Sequence, residues 1–174
     1  AQTLAVCALA KAAGRRRGSG AETVILRLLR HGQAENSAPS DAGRALTEVG
    51  RDEVRRSAER LIDQPPQLIL VSPYLRAQQS ADVIAEVLGC TVERHTMSWL
   101  TPDSDPRQVI REVDLFHCPD ILLIAHQPLL GDLAGLLIDG HRQAALALPT
   151  AALVDLEGEF LLAGGMSLRG LYRP

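Results

Sequence analysis

VILRLLRHG, residues 24–32, is a short apolar run that ends in an Arg-His-Gly triplet. An apolar run of this length predicts a buried β-strand, here over residues 24–29. In an open α/β sheet, ligands bind in the crevice beyond the carboxyl ends of the strands. Arginine binds anions, histidine can attack or carry a proton, and glycine lets a ligand approach the backbone. Arg30, His31 and Gly32 are therefore candidate site residues.

The composition is that of an ordinary globular protein with one core. The chain has 174 residues, of which 46% are hydrophobic and 22% charged, and its net charge is −3. This balance gives no indication of a nucleic-acid partner or of an anionic membrane. No uninterrupted apolar run reaches the roughly 18 residues that a membrane span needs. The three cysteines are far apart and form no CxxC pair, so we expect a reduced, cytoplasmic protein.

The N-terminal segment differs from the rest of the chain. Residues 1–13 are rich in alanine, and Arg15, Arg16 and Arg17 follow them closely. A secretory signal carries its positive charges before its apolar region, whereas here they come after it. We therefore interpret residues 1–21 as a flexible tail or a start-site extension, and residues 22–174 as a single domain.

Strand and helix patterns alternate along that domain. Apolar runs over residues 68–71 and 121–125 predict buried strands, and residues 91–93 a weaker one. Helical spacing of apolar residues predicts a helix after each strand, with Thr47 and Asp105 as N-caps and Gly89 and Gly140 at C-terminal ends. Residues 153–156 and 160–163 predict a hairpin with a Glu157-Gly158 turn. The alternation predicts an α/β fold, a three-layer α/β/α sandwich around a mostly parallel sheet.

Two further segments place reactive residues after strands. Arg76 follows the strand at 68–71 through the sequence SPYL, and His126 directly follows the strand at 121–125. Because the carboxyl ends of parallel strands meet at one edge of a sheet, we expect the two histidines and the two arginines to form one pocket.

A pocket of this kind suits a phosphoryl group. Guanidinium groups match phosphate oxygens and neutralise their charge. A neutral His31 imidazole can act as the in-line nucleophile and form a covalent phosphohistidine. A charged His126 would donate to the oxygens in the transition state. No acidic cluster with magnesium-site spacing is evident in the sequence, so we expect neither a metal nor a cofactor.

The chain resembles the histidine phosphatase superfamily and, within it, the small SixA-type phosphohistidine phosphatases. The resemblance spans most of residues 24–140 and rests on RHG (30–32), RALTEVG (44–50), SPYLRAQQS (72–80), LTP (100–102) and HQPLLG (126–131). It implies a phosphoglycerate mutase-like fold with His31 as the phosphorylated nucleophile. It also implies that Arg30, Arg76 and His126 form the phosphate pocket. Arg44 resembles an additional arginine of the SixA branch, and we expect Arg44, Gly32 and Ser72 to bind substrate.

The chain departs from the mutase-like and acid-phosphatase-like members, which carry an acidic general acid beside the phosphate. In mutase-like members a glutamate ends a Leu-x-Glu segment, whereas the comparable segment here ends in Pro102. Glu35, Asp103 and Asp105 are other candidates, although Asp105 is better explained as a helix cap. A phosphohistidine leaves as an imidazole and needs an acid less than a phosphate ester does. The missing acid therefore favours a phosphohistidine substrate.

The loops near the expected pocket are short. About a dozen residues separate Gly32 from Leu46, and about ten separate Arg94 from Asp105. Such loops favour an open pocket that takes a phosphorylated side chain on a phosphotransfer protein, with inorganic phosphate as the product. The alternatives are a small-molecule phosphomonoesterase of the same superfamily and a non-catalytic phosphate-binding module.

Overall fold

A six-stranded sheet forms the centre of the computed structural model, which describes residues 23–174. The tail predicted over residues 1–21 lies outside the described residues. The strands are β1 (Val24–Arg30), β2 (Leu68–Val71), β3 (Glu93–Thr96), β4 (Asp120–Ala125), β5 (Leu153–Gly158) and β6 (Met166–Tyr172). Their order is β3-β2-β4-β1-β5-β6, and the first four pair in parallel. β5 runs antiparallel to both of its neighbours, so the prediction of a mostly parallel sheet is confirmed.

Two α-helices of the described chain cover each face of the sheet. They are α1 (Glu48–Ala58), α2 (Leu75–Leu88), α3 (Pro106–Asp114) and α4 (Leu129–Asp139). Side chains alternate along a strand, so Leu28 and Leu123 pack with α3 and α4, whereas Leu29 and Ile124 pack with α1 and α2. This arrangement confirms the predicted three-layer sandwich. No helix within residues 23–174 combines the length and the apolar character needed to cross a membrane.

The helix ends follow the predicted capping residues. Thr47 Oγ1 accepts the backbone N–H of Gly50 at 3.0 Å, and the Asp105 carboxylate accepts a first-turn N–H of α3 at 3.0 Å. Gly89 and Gly140 follow α2 and α4 with φ of 59° and 81°, in the left-handed region that glycine adopts without strain. Local sequence therefore determines where these helices begin and end.

Two strand predictions were wrong in position. β3 begins at Glu93, which pairs with Leu68, and does not occupy residues 91–93. The hairpin does not turn at Glu157-Gly158, because Gly158 still pairs with Met166 and the chain reverses over residues 159–165. Residues 160–163 are therefore loop. β6 lies at the edge of the sheet, and apart from Met166 its side chains are exposed or half-buried, so no buried apolar run marks this strand in the sequence.

The loop after β1 packs backbone to backbone against the first turn of α1. A Cβ atom on Gly32 would overlap the carbonyl oxygen of Gly50, and one on Gly50 would overlap the carbonyl oxygen of Gln33. Neither position has room for a side chain. Gly32 thus lets β1 and α1 approach closely and positions the loop that follows His31.

Candidate active site

The carboxyl ends of β1, β2 and β4 lie side by side and bring the predicted residues to one cavity. Arg30 ends β1 and His31 follows it, Arg76 lies in the first turn of α2, and His126 follows β4. The cavity has a volume of about 340 Å³. Its lining residues are Arg30, His31, Gln33, Ala34, Asn36, Arg44, Arg76, His126, Gln127 and Thr150. The two histidines and Arg76 form a buried floor, whereas Gln33 and Asn36 form an exposed rim.

The hydrogen bonds of His31 define its tautomer. Its Nδ1 lies 2.7 Å from the carbonyl oxygen of Gly32, which only accepts, so Nδ1 carries the proton. Its Nε2 accepts the Nε–H of Arg76 at 3.1 Å. The lone pair of His31 lies on Nε2, the atom that a nucleophilic histidine needs, and Arg76 is its hydrogen-bond donor.

Both histidines of the floor are neutral near pH 7. Burial, together with the neighbouring arginine charges, lowers the pKa of His31 to about 4, although the hydrogen bond to the Gly32 carbonyl acts in the opposite direction. Burial also lowers the pKa of His126 to about 3, with contributions from His31 and Arg76. The ring centroids are 5.0 Å apart. For both rings desolvation therefore outweighs any gain from charge. The prediction of a charged His126 concerns the transition state, where a phosphoryl group adds negative charge beside the ring, and it stays a prediction.

Ser72 contacts the ring of His126 and fixes its orientation. The Ser72 hydroxyl lies 2.6 Å from His126 Nε2 and accepts the backbone N–H of Tyr74 at 3.3 Å. Donation from the hydroxyl to Nε2 satisfies both groups and leaves the ring proton on Nδ1. That Nδ1 is buried and has no hydrogen-bond partner among residues 23–174. Ser72 is fully buried and is not among the residues that line the cavity, and its hydroxyl contacts His126.

The three arginines of the cavity differ in their partners. Arg30 donates from Nη1 to the carbonyl oxygen of Leu148 at 2.6 Å, and its buried Nε has no partner among the described residues. Arg44 donates from Nε to the carbonyl oxygen of Glu35. Arg76 donates to His31 and to Asp41. Each of the three guanidinium groups thus donates to a backbone oxygen, which holds it at the position from which it faces the cavity.

Asp41 is the residue that the sequence analysis missed. Its carboxylate receives Arg76 Nη2 at 3.0 Å on one oxygen and Arg44 Nη1 at 3.1 Å on the other. Its backbone oxygen receives Arg76 Nη1 at 2.6 Å. The hydrogen bond from Arg76 lowers the pKa of the Asp41 carboxyl, so it is ionised. The only sequence signal was its position three residues before Arg44, which many surface aspartates share.

None of the three residues considered as general acids lines the cavity. Asp105 caps α3, Asp103 accepts the hydroxyl of Thr101 at 2.9 Å, and Glu35 contributes its backbone oxygen to Arg44. Within residues 23–174, the cavity lining contains no carboxylate, and no group of three or more histidine, cysteine, aspartate or glutamate residues could hold a metal ion.

A loop after α4 completes the cavity and carried no sequence signal. It contributes Thr150 to the lining and the Leu148 oxygen to Arg30. Ala151 donates its N–H to the carbonyl oxygen of His31 at 3.0 Å, which attaches the loop to the end of β1. These contacts use backbone atoms, so residue identity could not reveal them.

Comparison with known proteins establishes the family. Residues 26–97 match the histidine phosphatase superfamily (branch 1). Phosphohistidine phosphatase SixA of Escherichia coli (strain K12) is 32% identical over 135 residues, which cover 75% of this chain and 84% of that protein. The chain belongs to the histidine phosphatase superfamily. A SixA homologue of Haemophilus influenzae is 28% identical over 118 residues, 61% of this chain and 72% of that protein.

A solved structure shares the fold of this histidine phosphatase. The protein histidine phosphatase SixA complexed with tungstate superposes with a TM-score of 0.79 at 28% identity, over 87% of this chain and 97% of that one. The SixA-type resemblance and the phosphoglycerate mutase-like fold that it implies are confirmed. His126 lies beyond the family match over residues 26–97, but the structure brings its ring next to that of His31.

Proposed function

We propose that this histidine phosphatase hydrolyses phosphohistidine on a protein through a covalent intermediate on His31. The observation that carries the proposal is a set of unused donors beside a neutral imidazole. Arg30 Nε and His126 Nδ1 are buried without partners among the described residues, and both residues line the cavity with His31. A buried N–H group without a partner is costly, and a bound oxyanion would satisfy both.

The relatives support the same chemistry. The Escherichia coli relative is a phosphohistidine phosphatase, and the similar SixA structure is complexed with tungstate, a tetrahedral oxyanion. The three arginines of this chain that line the cavity supply the positive charge that a phosphoryl group requires. We therefore assign phosphate binding to Arg30, Arg76 and His126, with Arg44 as an additional contact and Gly32 and Ser72 as supports of His31 and His126.

The proposed reaction has two steps. His31 Nε2 attacks phosphorus while the P–N bond to the substrate imidazole breaks, and that imidazole leaves with the electron pair. Arg30, Arg76 and His126 donate hydrogen bonds to the phosphoryl oxygens as the reaction proceeds. Water then attacks phospho-His31, a P–O bond replaces the P–N bond, and inorganic phosphate is released. His31 returns to its tautomer with the proton on Nδ1.

The cavity lining supports a phosphohistidine over a phosphate ester. An alkoxide is a strong base and must receive a proton as it leaves. An imidazole has a conjugate acid with a pKa of roughly 6.5, so it leaves as a neutral ring when its other nitrogen is protonated. The lining has no carboxylate within residues 23–174, and the Asp41 carboxylate that contacts Arg76 and Arg44 is held ionised and is therefore a poor proton donor. The cavity thus suits an imidazole leaving group better than an alkoxide.

The exposed rim supports a protein substrate. Gln33 and Asn36 lie at the rim and are exposed, so a side chain displayed on another protein can reach the floor. We infer a phosphotransfer protein of a two-component relay as the substrate and the cytoplasm as the location. Residues 22–174 form the working domain. The arginines provide the charge that a metal ion would otherwise supply, so we expect activity to persist in a chelator.

The test compares substrates and two histidine variants. A phosphotransfer domain that carries phosphohistidine is incubated with the protein beside a sugar phosphate and phosphoserine, with and without EDTA. We expect turnover of the phosphohistidine, and His31→Ala should lower its rate by at least about a thousandfold because the nucleophile is lost. His95→Ala is the matched control, because the His95 side chain is half-buried, bonds to Glu93 and does not line the cavity. After an alkaline quench, mass spectrometry should find a phosphoryl group on His31.

Two results would contradict this proposal. Faster turnover of the esters than of phosphohistidine would identify a small-molecule phosphomonoesterase with an acid outside the described lining. Phosphate binding without turnover of any substrate would identify a non-catalytic phosphate-binding module.

A further inference from the structure

The Asp41 carboxylate bridges two arginines of the cavity. One oxygen lies 3.0 Å from Arg76 Nη2 and the other lies 3.1 Å from Arg44 Nη1. Arg76 is almost completely buried, whereas the Asp41 side chain is 56% exposed. A carboxylate that binds guanidinium groups in this way satisfies the same N–H donors that a phosphate oxygen would bind.

The Asp41 contact has two separable parts. The backbone oxygen of Asp41 accepts Arg76 Nη1 at 2.6 Å, independently of the carboxylate. Asp41 begins a single 3-10 turn over Asp41–Gly43, which Ser40 caps through the Gly43 N–H. The carboxylate can therefore rotate into solvent while the backbone bond still holds Arg76. The carboxylate is thus a charged acceptor that can be exchanged, whereas the backbone oxygen is a neutral acceptor that stays in place.

We propose that the Asp41 carboxylate competes with phosphate for Arg76 and Arg44 and thereby determines how tightly the cavity holds inorganic phosphate. Substrate displaces the carboxylate when its phosphoryl group binds. After hydrolysis the carboxylate returns to the two arginines and favours release of the product. This inference rests on the proposed function, because it takes the cavity to be a phosphate site.

The competition has a physical purpose in such a pocket. Three arginines and two histidines line one cavity, and tight binding of phosphate there would retain the product as well as the substrate. The Asp41 carboxylate, as an internal anion, weakens the binding of substrate and of product by a similar factor. After product release it again pairs with the guanidinium groups and offsets their charge. A residue that only positioned Arg76 would instead strengthen phosphate binding, so the two roles predict opposite signs.

Calorimetric titration with inorganic phosphate tests the proposal without requiring turnover. Asp41→Asn and Asp41→Ala remove the charge and keep the backbone oxygen, and circular dichroism checks that each variant is folded. We expect both to bind phosphate about fivefold more tightly than the wild type, a factor typical of one charge-assisted hydrogen bond. The KM for the phosphohistidine substrate should fall in the same direction.

Two control variants separate a direct contact from a general change of charge. Asp52→Asn removes a carboxylate of similar exposure that pairs with Arg55 at the same three-residue spacing on α1. Glu53→Gln removes a charge that acts on Arg30 through space, while its carboxylate bonds to the Gln33 N–H. Both should change the Kd of phosphate by less than about twofold, as is typical of exposed charges.

Two outcomes overturn this proposal, and a third overturns only the proposed function. An unchanged or higher Kd of phosphate in the Asp41 variants would show that the carboxylate does not compete. If Glu53→Gln lowers the Kd of phosphate as much as the Asp41 variants do, the effect comes from the net charge around the cavity and not from competition by the Asp41 carboxylate. If the wild type binds phosphate but does not hydrolyse phosphohistidine, the proposed function fails while the Asp41 comparison still gives its answer.

Discussion

Arg76 donates the Nε–H of its guanidinium group to Nε2 of His31 over 3.1 Å. The bond joins the first turn of α2 to the residue after β1, and it covers the lone pair through which His31 would attack. A phosphoryl group that reaches His31 must take over this N–H. Arg76 therefore holds the neutral His31 ring by a hydrogen bond, and binding of a phosphoryl group exchanges one partner of Arg76 for another.

The neutrality of His31 can be measured directly. Because burial lowers its pKa to about 4, the ring resonances of His31 should not shift between about pH 6 and pH 8 and should titrate only in more acidic solution. NMR titration of the ligand-free protein with labelled histidine measures this. In the chain unfolded by urea, the same signal should titrate near roughly 6.5. A midpoint near that value in the folded protein would show that His31 is hydrated and charged in weak acid.

Ser72→Ala should impair catalysis, because His126 would no longer be restricted to the tautomer that carries its proton on Nδ1. Without the hydroxyl at 2.6 Å, the ring proton can move to Nε2, and Nδ1 then presents a lone pair to the phosphate. We expect kcat to fall by about tenfold to a hundredfold, less than the roughly hundredfold to thousandfold for complete loss of a transition-state donor, because one of the two tautomers still donates from Nδ1. The nitrogen shifts of His126 should change from one tautomer to a mixture.

Ser57→Ala provides the matched control for that variant. Ser57 is also fully buried, and its hydroxyl donates to the carbonyl oxygen of Ala151 at 2.6 Å outside the cavity. Its loss should lower the free energy of unfolding by about 1 kcal/mol and leave the His126 tautomer unchanged. If Ser72→Ala keeps the nitrogen shifts and the kcat of the wild type, Ser72 has no orienting role.

The layers of the fold and the central residues of the site could be predicted from local sequence. Apolar runs such as residues 121–125 can be buried only inside a sheet covered on both faces, and their ends place His126 beside His31. Capping residues such as Thr47 act on their own first turn, so their contribution is local. These predictions required no knowledge of how distant segments meet.

The remainder depends on contacts that residue types do not encode. Asp41 lies in a polar loop where an aspartate is ordinary, and only the fold brings its carboxylate to Arg76. Leu148 and Ala151 act through backbone atoms. The neutral form of His126 near pH 7 could not be predicted from the sequence, because the burial that lowers its pKa follows from tertiary packing.

Gly32→Ala should destabilise the protein because its Cβ atom would overlap the carbonyl oxygen of Gly50. Relief of the overlap requires the loop after His31 to separate from α1. We expect the free energy of unfolding to fall by about 2–3 kcal/mol, as for overpacking at a rigid contact, and activity to fall with it. Denaturation in urea measures the first quantity.

Gly170→Ala is the control for the loss of a glycine. A Cβ atom there would have no neighbouring heavy atom within 4 Å, so its cost should be below about 0.5 kcal/mol. Equal stability of the two variants would show that the loop after β1 moves freely away from Gly50.

A buried cluster far from the cavity should make stability depend on pH. Arg27 is almost fully buried and lies 2.8 Å from Asp120 and 3.5 Å from Asp155. Burial raises the pKa of Asp120 to about 6, against the attraction of Arg27, and raises that of Asp155. One guanidinium group thus faces two carboxylates in a poorly solvated place, and desolvation outweighs the ion pair at Asp120.

The sign of the effect follows from linkage. A carboxyl whose pKa is higher in the folded state binds more protons there, so its contribution is present below the unfolded value and is lost as pH rises through about 6. Asp120 should therefore lower the free energy of unfolding by on the order of 1–2 kcal/mol between about pH 4 and pH 7. Asp120→Asn keeps an oxygen for Arg27 and removes the titration, so its urea-denaturation curve should lack this decline. A decline of equal size in Asp120→Asn would assign the pH dependence to other groups and show that the Arg27 ion pair keeps Asp120 ionised throughout.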